Sequence, residues 1–426
     1  MRSLLARLGD PHLGRGTVHI AGSKGKGSTA AMVASALRAG GISTGLYTSP
    51  HLHRFTERIA VDGEPVSQDD FARLVETLLP QIEAEDASGA FGTVSTFEAL
   101  TALAFMYFRE RNAAWQILEV GLGGRLDATN VFDEKAACVI TPVSLEHTAI
   151  LGDTVAQIAE EKAGIITPGS TVVMSPQREA AADVVRRVCS ERGAELVEVA
   201  LACAMNRTRH DQSGQDLALR TPRATYQLRL PLLGHHQLEN AAAAVLALEA
   251  LAARGVEIDD AALREGLASV RWPARIEVLR RKPLVIADGA HNRDSAKRLV
   301  QTLRDDLGLR SVTFVTGVSG DKDAGAFAEE LTPLAERVVA TRSRHPRALD
   351  PHALAAAFAE QEAPVAVEEP VGAALDAALA QAEPGGAVVA CGSLFVAAEA
   401  REHILGVAYD PPLDVRPSAA APAGTR

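Results

Sequence analysis

Aromatic residues make up only 4% of this chain, and it has four cysteines, Cys138, Cys189, Cys203 and Cys391. Their wide spacing, with no C-x-x-C pair, excludes a disulfide framework or a finger-type zinc site and reads as reduced, mostly buried thiols. Few aromatics and abundant alanine disfavour a β-sandwich and favour helices packed on sheets. Basic residues are not in excess: the net charge is −11, with both signs interspersed, so no nucleic acid is expected as a partner. No apolar run reaches the length of a membrane span, and residues 1–15 lack a long apolar core. These absences imply a cytoplasmic protein with no membrane partner. The 426 residues, 47% hydrophobic and 23% charged, are enough for two or three domains with real cores.

What is present is concentrated at Gly22-Ser23-Lys24-Gly25-Lys26-Gly27-Ser28-Thr29. A β-branched stretch, Thr17 to Ile20, precedes this run, and an Ala-rich helical pattern from Ala30 to Arg38 follows. Strand, glycine loop and helix are the setting in which backbone N–H groups and a helix N-terminus cradle nucleotide phosphates. Lys26 would reach the terminal phosphates, and Ser28 and Thr29 place hydroxyls at the helix start. The bland alternative is a Gly-rich turn with a solvated lysine. The spacing is one residue tighter than the common phosphate-loop pattern, so an ordinary GTPase or kinase is not the natural match.

Short apolar runs alternate with helical patterns along most of the chain: Trp115 to Val120, Ala136 to Ile140, Thr171 to Met174, Leu284 to Ala287, Val312 to Thr316, Val338 to Thr341 and Ala387 to Ala390. This alternation predicts parallel sheets covered by helices on both faces. Residues 200–231 differ, because polar and apolar residues alternate there around turn signals, as in an antiparallel hairpin. Helical patterns follow at Gln237 to Ala253 and Asp260 to Val270. A boundary between Ala274 and Lys282 divides a first domain, 1–277, from a second α/β domain, 282–409. The Pro- and Ala-rich stretch 410–426 reads as a disordered tail.

Chemistry-bearing residues gather where such strands end. Glu119 closes one apolar run ahead of Gly121-Leu122-Gly123-Gly124 and is placed to ligate Mg²⁺. Taken alone, those glycines would suggest a dinucleotide fold, but Arg125 stands where the last glycine belongs. Tyr47-Thr48-Ser49-Pro50-His51 and Ser144-Leu145-Glu146-His147-Thr148 follow neighbouring runs. Lys162, in Glu160-Glu161-Lys162-Ala163-Gly164, reads by itself as a solvated helix end. Further on come Gly234 to Ala241, Trp272-Pro273-Ala274-Arg275-Ile276-Glu277 and Asp288-Gly289-Ala290-His291-Asn292.

In this order the motifs resemble folylpolyglutamate synthase, often bifunctional with dihydrofolate synthase, within the wider Mur ligase family. The resemblance runs from about Val18 to Arg401. Its most specific parts are Glu119 to Asn130 and His147 to Ile165, which separate the folate branch from the cell-wall branch. It implies an α/β fold: a Mur-ligase-like ATPase domain with a parallel central sheet and a small antiparallel element, then a smaller Rossmann-like domain.

Position by position, the resemblance implies that Lys24, Gly25, Lys26, Gly27 and Ser28 line the ATP phosphates. Ser49, Glu119 and His147 match Mg²⁺ ligands, and Lys162 matches a lysine that is carbamylated and positions a second Mg²⁺; K⁺ is a further candidate cation. Asn240, Arg275 and Asp288 match ATP contacts. Ser95, Thr96, Phe97 and Glu98, with Leu126, Asp127 and Ala128, fall where the pteridine-bearing substrate sits. His291 and Ser393 are candidates for holding the incoming glutamate. Lys26, Glu119, His147 and Lys162 form the implied catalytic set. The implied reaction uses ATP to turn a folate or dihydropteroate carboxylate into an acyl phosphate, which the amine of L-glutamate captures, in a monomeric enzyme.

The chain departs from the family pattern in three places. Gly-Ser-Lys replaces Gly-Thr-Asn in the loop, which adds the charge of Lys24. The linker W-P-A-R-I-E keeps Arg275 but lacks the usual following aromatic. Residues 1–16 are shorter than the family's N-terminal helix and loop, an abbreviation expected either to loosen folate binding or to mark a displaced start. A glutamate ligase for another carboxylate and a non-catalytic nucleotide-binding relative stay open as alternatives.

Overall fold

The computed structural model describes residues 1–382 and 386–411, so the expected tail lies outside them from residue 412 on. By internal packing the chain forms two units: Met1–Glu277 with Arg298–Leu309, and Val278–Lys297 with the residues from Arg310 on.

Eight strands build the large sheet of the first unit: β1 (Gly16–Ala21), β2 (Thr44–Tyr47), β3 (Ile59–Val61), β4 (Glu64–Pro65), β5 (Trp115–Glu119), β6 (Ala137–Ile140), β7 (Thr171–Met174) and β8 (Glu195–Glu198). Their order is β4-β3-β2-β5-β1-β6-β7-β8, parallel except for β3 and β4 at one edge. Successive side chains of the central strands enter opposite cores. On β6, Ala137 and Val139 join one cluster while Cys138 and Ile140 join another. On β5, Ile117 and Leu118 divide in the same way. A strand covered on both faces must be apolar throughout, and for that reason these runs show no alternation.

The helices Lys26–Ala39, His235–Ala253 and Asp260–Ser269 share one of these cores with part of a small sheet. Gly266 allows two of them to touch: a methyl there would lie 2.3 Å from the Ala36 Cα. Ser35 Oγ donates to the Gly266 carbonyl at 2.7 Å across the same contact. The small sheet has three antiparallel strands, β9 (Ala204–Asp211), β10 (Gly214–Arg220) and β11 (Thr225–Leu230), in the order β11-β10-β9. The expected hairpin is its second half; β9, with two arginines, a histidine and an aspartate, is largely exposed and hides its period.

The second unit carries a six-stranded sheet of β12 (Glu277–Arg281), β13 (Leu284–Ala287), β14 (Val312–Thr316), β15 (Ala335–Ala340), β16 (Val365–Val367) and β17 (Ala387–Cys391), in the order β12-β13-β17-β14-β15-β16. The pairings among β13 to β17 are parallel. β12 lies ahead of the expected start at Leu284; its Glu277, Arg280 and Arg281 suit a solvated sheet edge and mask it as a strand. Among the described residues, no helix is long and apolar enough to cross a membrane.

Candidate active site

Gly22 and Gly25 turn the chain out of β1 with φ of 150° and 87°, a region that side chains rarely occupy. The helix Lys26–Ala39 then begins. Ser23 and Lys24 donate their backbone N–H groups to the Pro142 carbonyl at 2.9 and 3.2 Å, which ties the loop to the end of β6. Lys26 Nζ donates back to the Gly22 carbonyl at 3.1 Å. Lys162 Nζ reaches that same carbonyl at 2.9 Å from a position 140 residues later. Two Nζ groups on one carbonyl concentrate positive charge at the loop, with Glu146 as the counter-charge of Lys162, a field that attracts an oxyanion.

Lys162 is therefore no solvated helix end: its side chain is 2% exposed, and it also donates to Glu146 Oε1 at 2.9 Å. Burial, only partly offset by Glu146, brings its ammonium down to about 8. Burial alone would push the Glu146 carboxyl up, but Lys162, with Lys26 and Lys24 behind it, takes it to about 2. Glu146 was not among the expected site residues, although its place beside His147 in Ser144 to Thr148 was a usable signal.

A carboxylate held below its ordinary 4.5 contributes stability above that pH and loses it as pH falls toward 2. Glu146→Gln should therefore flatten the acid limb of stability between pH 4.5 and 2, read as urea midpoints. Identical acid limbs in the two proteins would contradict the pairing.

Glu119 ends β5, and its buried carboxylate accepts the Ser49 backbone N–H at 3.1 Å. Burial raises its pKa, with Lys26 the leading opposing influence. Ser49 follows β2, which pairs with β5, and His147 follows β6 on the other side of β1, so all three stand at the carboxyl ends of neighbouring strands in the middle of the sheet. Ser49 and Glu119 are in direct contact, whereas His147 stands exposed across β1, in the left-handed region at the start of the helix Thr148–Leu151. Among the described residues, no three His, Cys, Asp or Glu side chains gather to hold a metal. Mg²⁺ characteristically takes only one or two carboxylates and completes its shell with phosphate and water oxygens. A buried carboxylate at the strand end, with Lys26 and Arg275 acting on it, fits that demand.

The remaining expected nucleotide residues fall in both units. Asn240, buried on its helix, lies over Gly25, where a methyl would meet its Oδ1 at 2.3 Å. Arg275 donates to the Ala274 carbonyl at 2.8 Å and acts electrostatically on Glu119. In the second unit, Asp288 follows β13 and accepts the Ala290 N–H at 2.8 Å. Its own N–H bonds the Ala390 carbonyl, and Gly392 N–H bonds the Ala290 carbonyl, so the loops after β13 and β17 are joined. His291 and Ser393 sit on these two loops. The His291 ring bonds the Gly289 carbonyl at 2.8 Å, and Ser393 caps the helix Leu394–Leu405.

A cleft of about 700 Å³ opens in the first unit. Six of the seven expected acceptor residues line it: Ser95, Phe97, Glu98, Leu126, Asp127 and Ala128; Thr96, the first helical residue, does not. Ser49 lines it too, so the cleft abuts the Glu119 carboxylate. Three of these residues are committed locally. Ser95 and Glu98 form the capping box of the helix Thr96–Glu110. Asp127 Oδ2 accepts from the N–H groups of Gly121 and Leu122, both at 3.0 Å. Its Oδ1 accepts from Thr129 N and Thr129 Oγ1 at 3.0 and 2.5 Å. Asp127 thus shapes the loop that floors the cleft. Arg58, outside every quoted motif, and Arg125, noted only for standing where a glycine belongs, add guanidinium groups to the lining; Arg125 is paired with Glu161 at 2.8 Å.

Residues 20–248 match the Mur ligase middle domain, and residues 274–394 match the Mur ligase glutamate ligase domain. The probable bifunctional folylpolyglutamate synthase/dihydropteroate synthase of Haloferax volcanii is 40% identical over 413 residues, 94% of this chain, and the chain spans only 47% of that protein's length. The dihydrofolate synthase/folylpolyglutamate synthase of Bacillus subtilis is 36% identical over 82% of this chain and 81% of its own. Among solved structures, Mycobacterium tuberculosis folylpolyglutamate synthase complexed with ADP and AMPPCP superposes with a TM-score of 0.89 at 36% identity, covering 94% of this chain and 93% of that one. Two Mur ligase domains in chain order, and a relative matched along most of both chains, show that this protein belongs to the Mur ligase family, in its folylpolyglutamate synthase/dihydrofolate synthase branch.

Proposed function

We propose that the chain is an ATP-dependent ligase that joins L-glutamate to the carboxylate of a folate, with dihydropteroate as a second acceptor. One observation carries this reading: Ser49 belongs both to the acceptor-sized cleft and, through Glu119, to the electropositive glycine loop. A carboxylate lying in the cleft thereby ends near the bound triphosphate.

In this reading an acceptor carboxylate oxygen attacks the γ-phosphorus of ATP, the bond to the β-phosphate oxygen breaks, and ADP leaves. The glutamate amine then attacks the acyl carbon, loses its proton, and inorganic phosphate departs. Lys26 holds positive charge against the transferring group. Ser49, Glu119 and His147 would hold one Mg²⁺ and a carbamylated Lys162 a second, with K⁺ as a further candidate cation. When bound, these ions supply charge that offsets the phosphoryl oxygens. The lowered pKa of Lys162 favours the neutral amine that carbamylation requires. Lys24 to Ser28, Asn240, Arg275 and Asp288 contact ATP, and His291 and Ser393 receive the glutamate. Residues 1–277 serve ATP and acceptor, residues 282–409 serve glutamate, and the enzyme works as a cytoplasmic monomer.

The decisive assay is ADP release by the purified protein. It should require Mg²⁺, glutamate and a pteroate-type acceptor together, tetrahydrofolate and dihydropteroate being compared side by side. Release that proceeds with alanine or a UDP-sugar in their place would overturn the folate assignment. The cleft makes a narrower prediction. Leu126 is 80% exposed on its wall, so Leu126→Asp should leave stability within about 0.5 kcal/mol. The same change should raise the acceptor KM by roughly tenfold, because a carboxylate there opposes both an apolar ring and an acid. An unchanged acceptor KM would remove Leu126 from the acceptor site.

A further inference from the structure

We propose that the indole N–H of Trp272 is a donor to the terminal phosphate of the bound nucleotide; this rests on the ATP reading above. Trp272 lies in the segment that follows the helix Asp260–Ser269, within the first unit. Its ring covers Gly27, where a methyl would lie 2.5 Å from the Trp272 Cζ2 and 3.1 Å from Cε2. Cε2 is bonded to both Cζ2 and Nε1, so the indole nitrogen lies two bonds from the ring atom nearest Gly27. The same point lies 3.3 Å from Glu119 Oε2, so indole edge and carboxylate converge on one spot at the helix start.

Nε1 is nevertheless buried without a hydrogen-bond partner. Burying a donor unsatisfied costs roughly 1–3 kcal/mol, so such an atom calls for a ligand or a water. Two others border the same loop: Thr29 Oγ1 on its helix, and Ser144 Oγ, whose backbone is bonded to Ser23. An indole can only donate, so its partner must be an acceptor. With Lys26 and Lys162 both on the Gly22 carbonyl, the acceptor this spot attracts is an anionic oxygen. Lys26, the residue before Gly27, would reach the terminal phosphates, so the oxygen assigned to the indole is one on the third phosphate. As a mere wall over Gly27 the ring would need no N–H.

The test replaces only that group. Trp272 is exchanged for benzothienylalanine, which keeps the bicyclic frame and puts sulfur where the N–H was; Trp272→Phe serves as a second variant. Binding of AMPPCP and of ADP, each with Mg²⁺, is measured by calorimetry alongside thermal melts. The expected result is AMPPCP affinity weakened about tenfold or more in both variants, with ADP affinity unchanged, the loss of one charge-assisted hydrogen bond. Equal affinities for AMPPCP in all three proteins would overturn the assignment, because a water or the ring alone would then suffice. Equal weakening of ADP and AMPPCP would overturn it as well, as a general packing effect. If the unaltered protein fails to bind AMPPCP, the ATP reading falls together with this one; if it binds and the sulfur variant binds as well, only the indole assignment falls.

Discussion

Lys26→Ala is expected to lower turnover by about three orders of magnitude or more while the melting temperature stays within a few degrees. The side chain is half-buried and makes one hydrogen bond, to the Gly22 carbonyl at 3.1 Å, so its loss opens no cavity in the core. Its charge is another matter. The γ-phosphoryl carries its charge through transfer, and this ammonium stands on the loop that would cradle it. Its partner on the same carbonyl, Lys162, is bound to Glu146 and does not replace it. ADP release at saturating substrates, with a thermal melt of the same sample, decides the matter. Turnover within tenfold of the wild type would mean that the triphosphate lies elsewhere.

Lys162→Ala should damage both stability and catalysis, and the two losses should separate. Removing a nearly buried partner leaves the Glu146 carboxylate, 16% exposed, without its hydrogen-bonded counter-charge and with only the fields of Lys26 and Lys24 to offset it. Breaking such a pair from one side costs on the order of 3 kcal/mol. Glu146→Gln in the Lys162→Ala background should recover most of that stability, since the stranded charge is gone, without recovering activity. Short carboxylates such as acetate should partly restore turnover if an anionic oxygen on residue 162 is what catalysis uses. Urea unfolding of the four proteins of this cycle gives the coupling directly. Full activity in Lys162→Ala would end the metal-positioning role, and a stability loss undiminished by Glu146→Gln would end the ion-pair account.

Several features were legible from local pattern. Thr171–Met174, Leu284–Ala287 and Val312–Thr316 coincide with observed strands because doubly covered strands are short, apolar and bounded by turn residues. The glycine loop was legible for a related reason: its backbone demands glycine at Gly22 and Gly25 whatever surrounds it. β9 and β12 were harder to read, since exposed edge strands carry charge and lose their period. Ser95 and Asp127, expected at the acceptor, line the cleft of the first unit, yet their side chains are engaged in capping a helix and bracing a loop. Motif position says where a residue falls, but not how many of its lone pairs are already taken.

From sequence alone came the alternation of strand and helix, the phosphate-seeking loop and the order of motifs that marks the ligase family, because each is written in neighbouring residues. Only the folded chain decided that Lys162 would be buried on Gly22, that Glu146 would hold it, and that an indole edge would face Gly27. Those contacts join residues as far apart as 245 positions, and no local periodicity encodes which side chain the packing of two helices and a sheet will press against a given glycine.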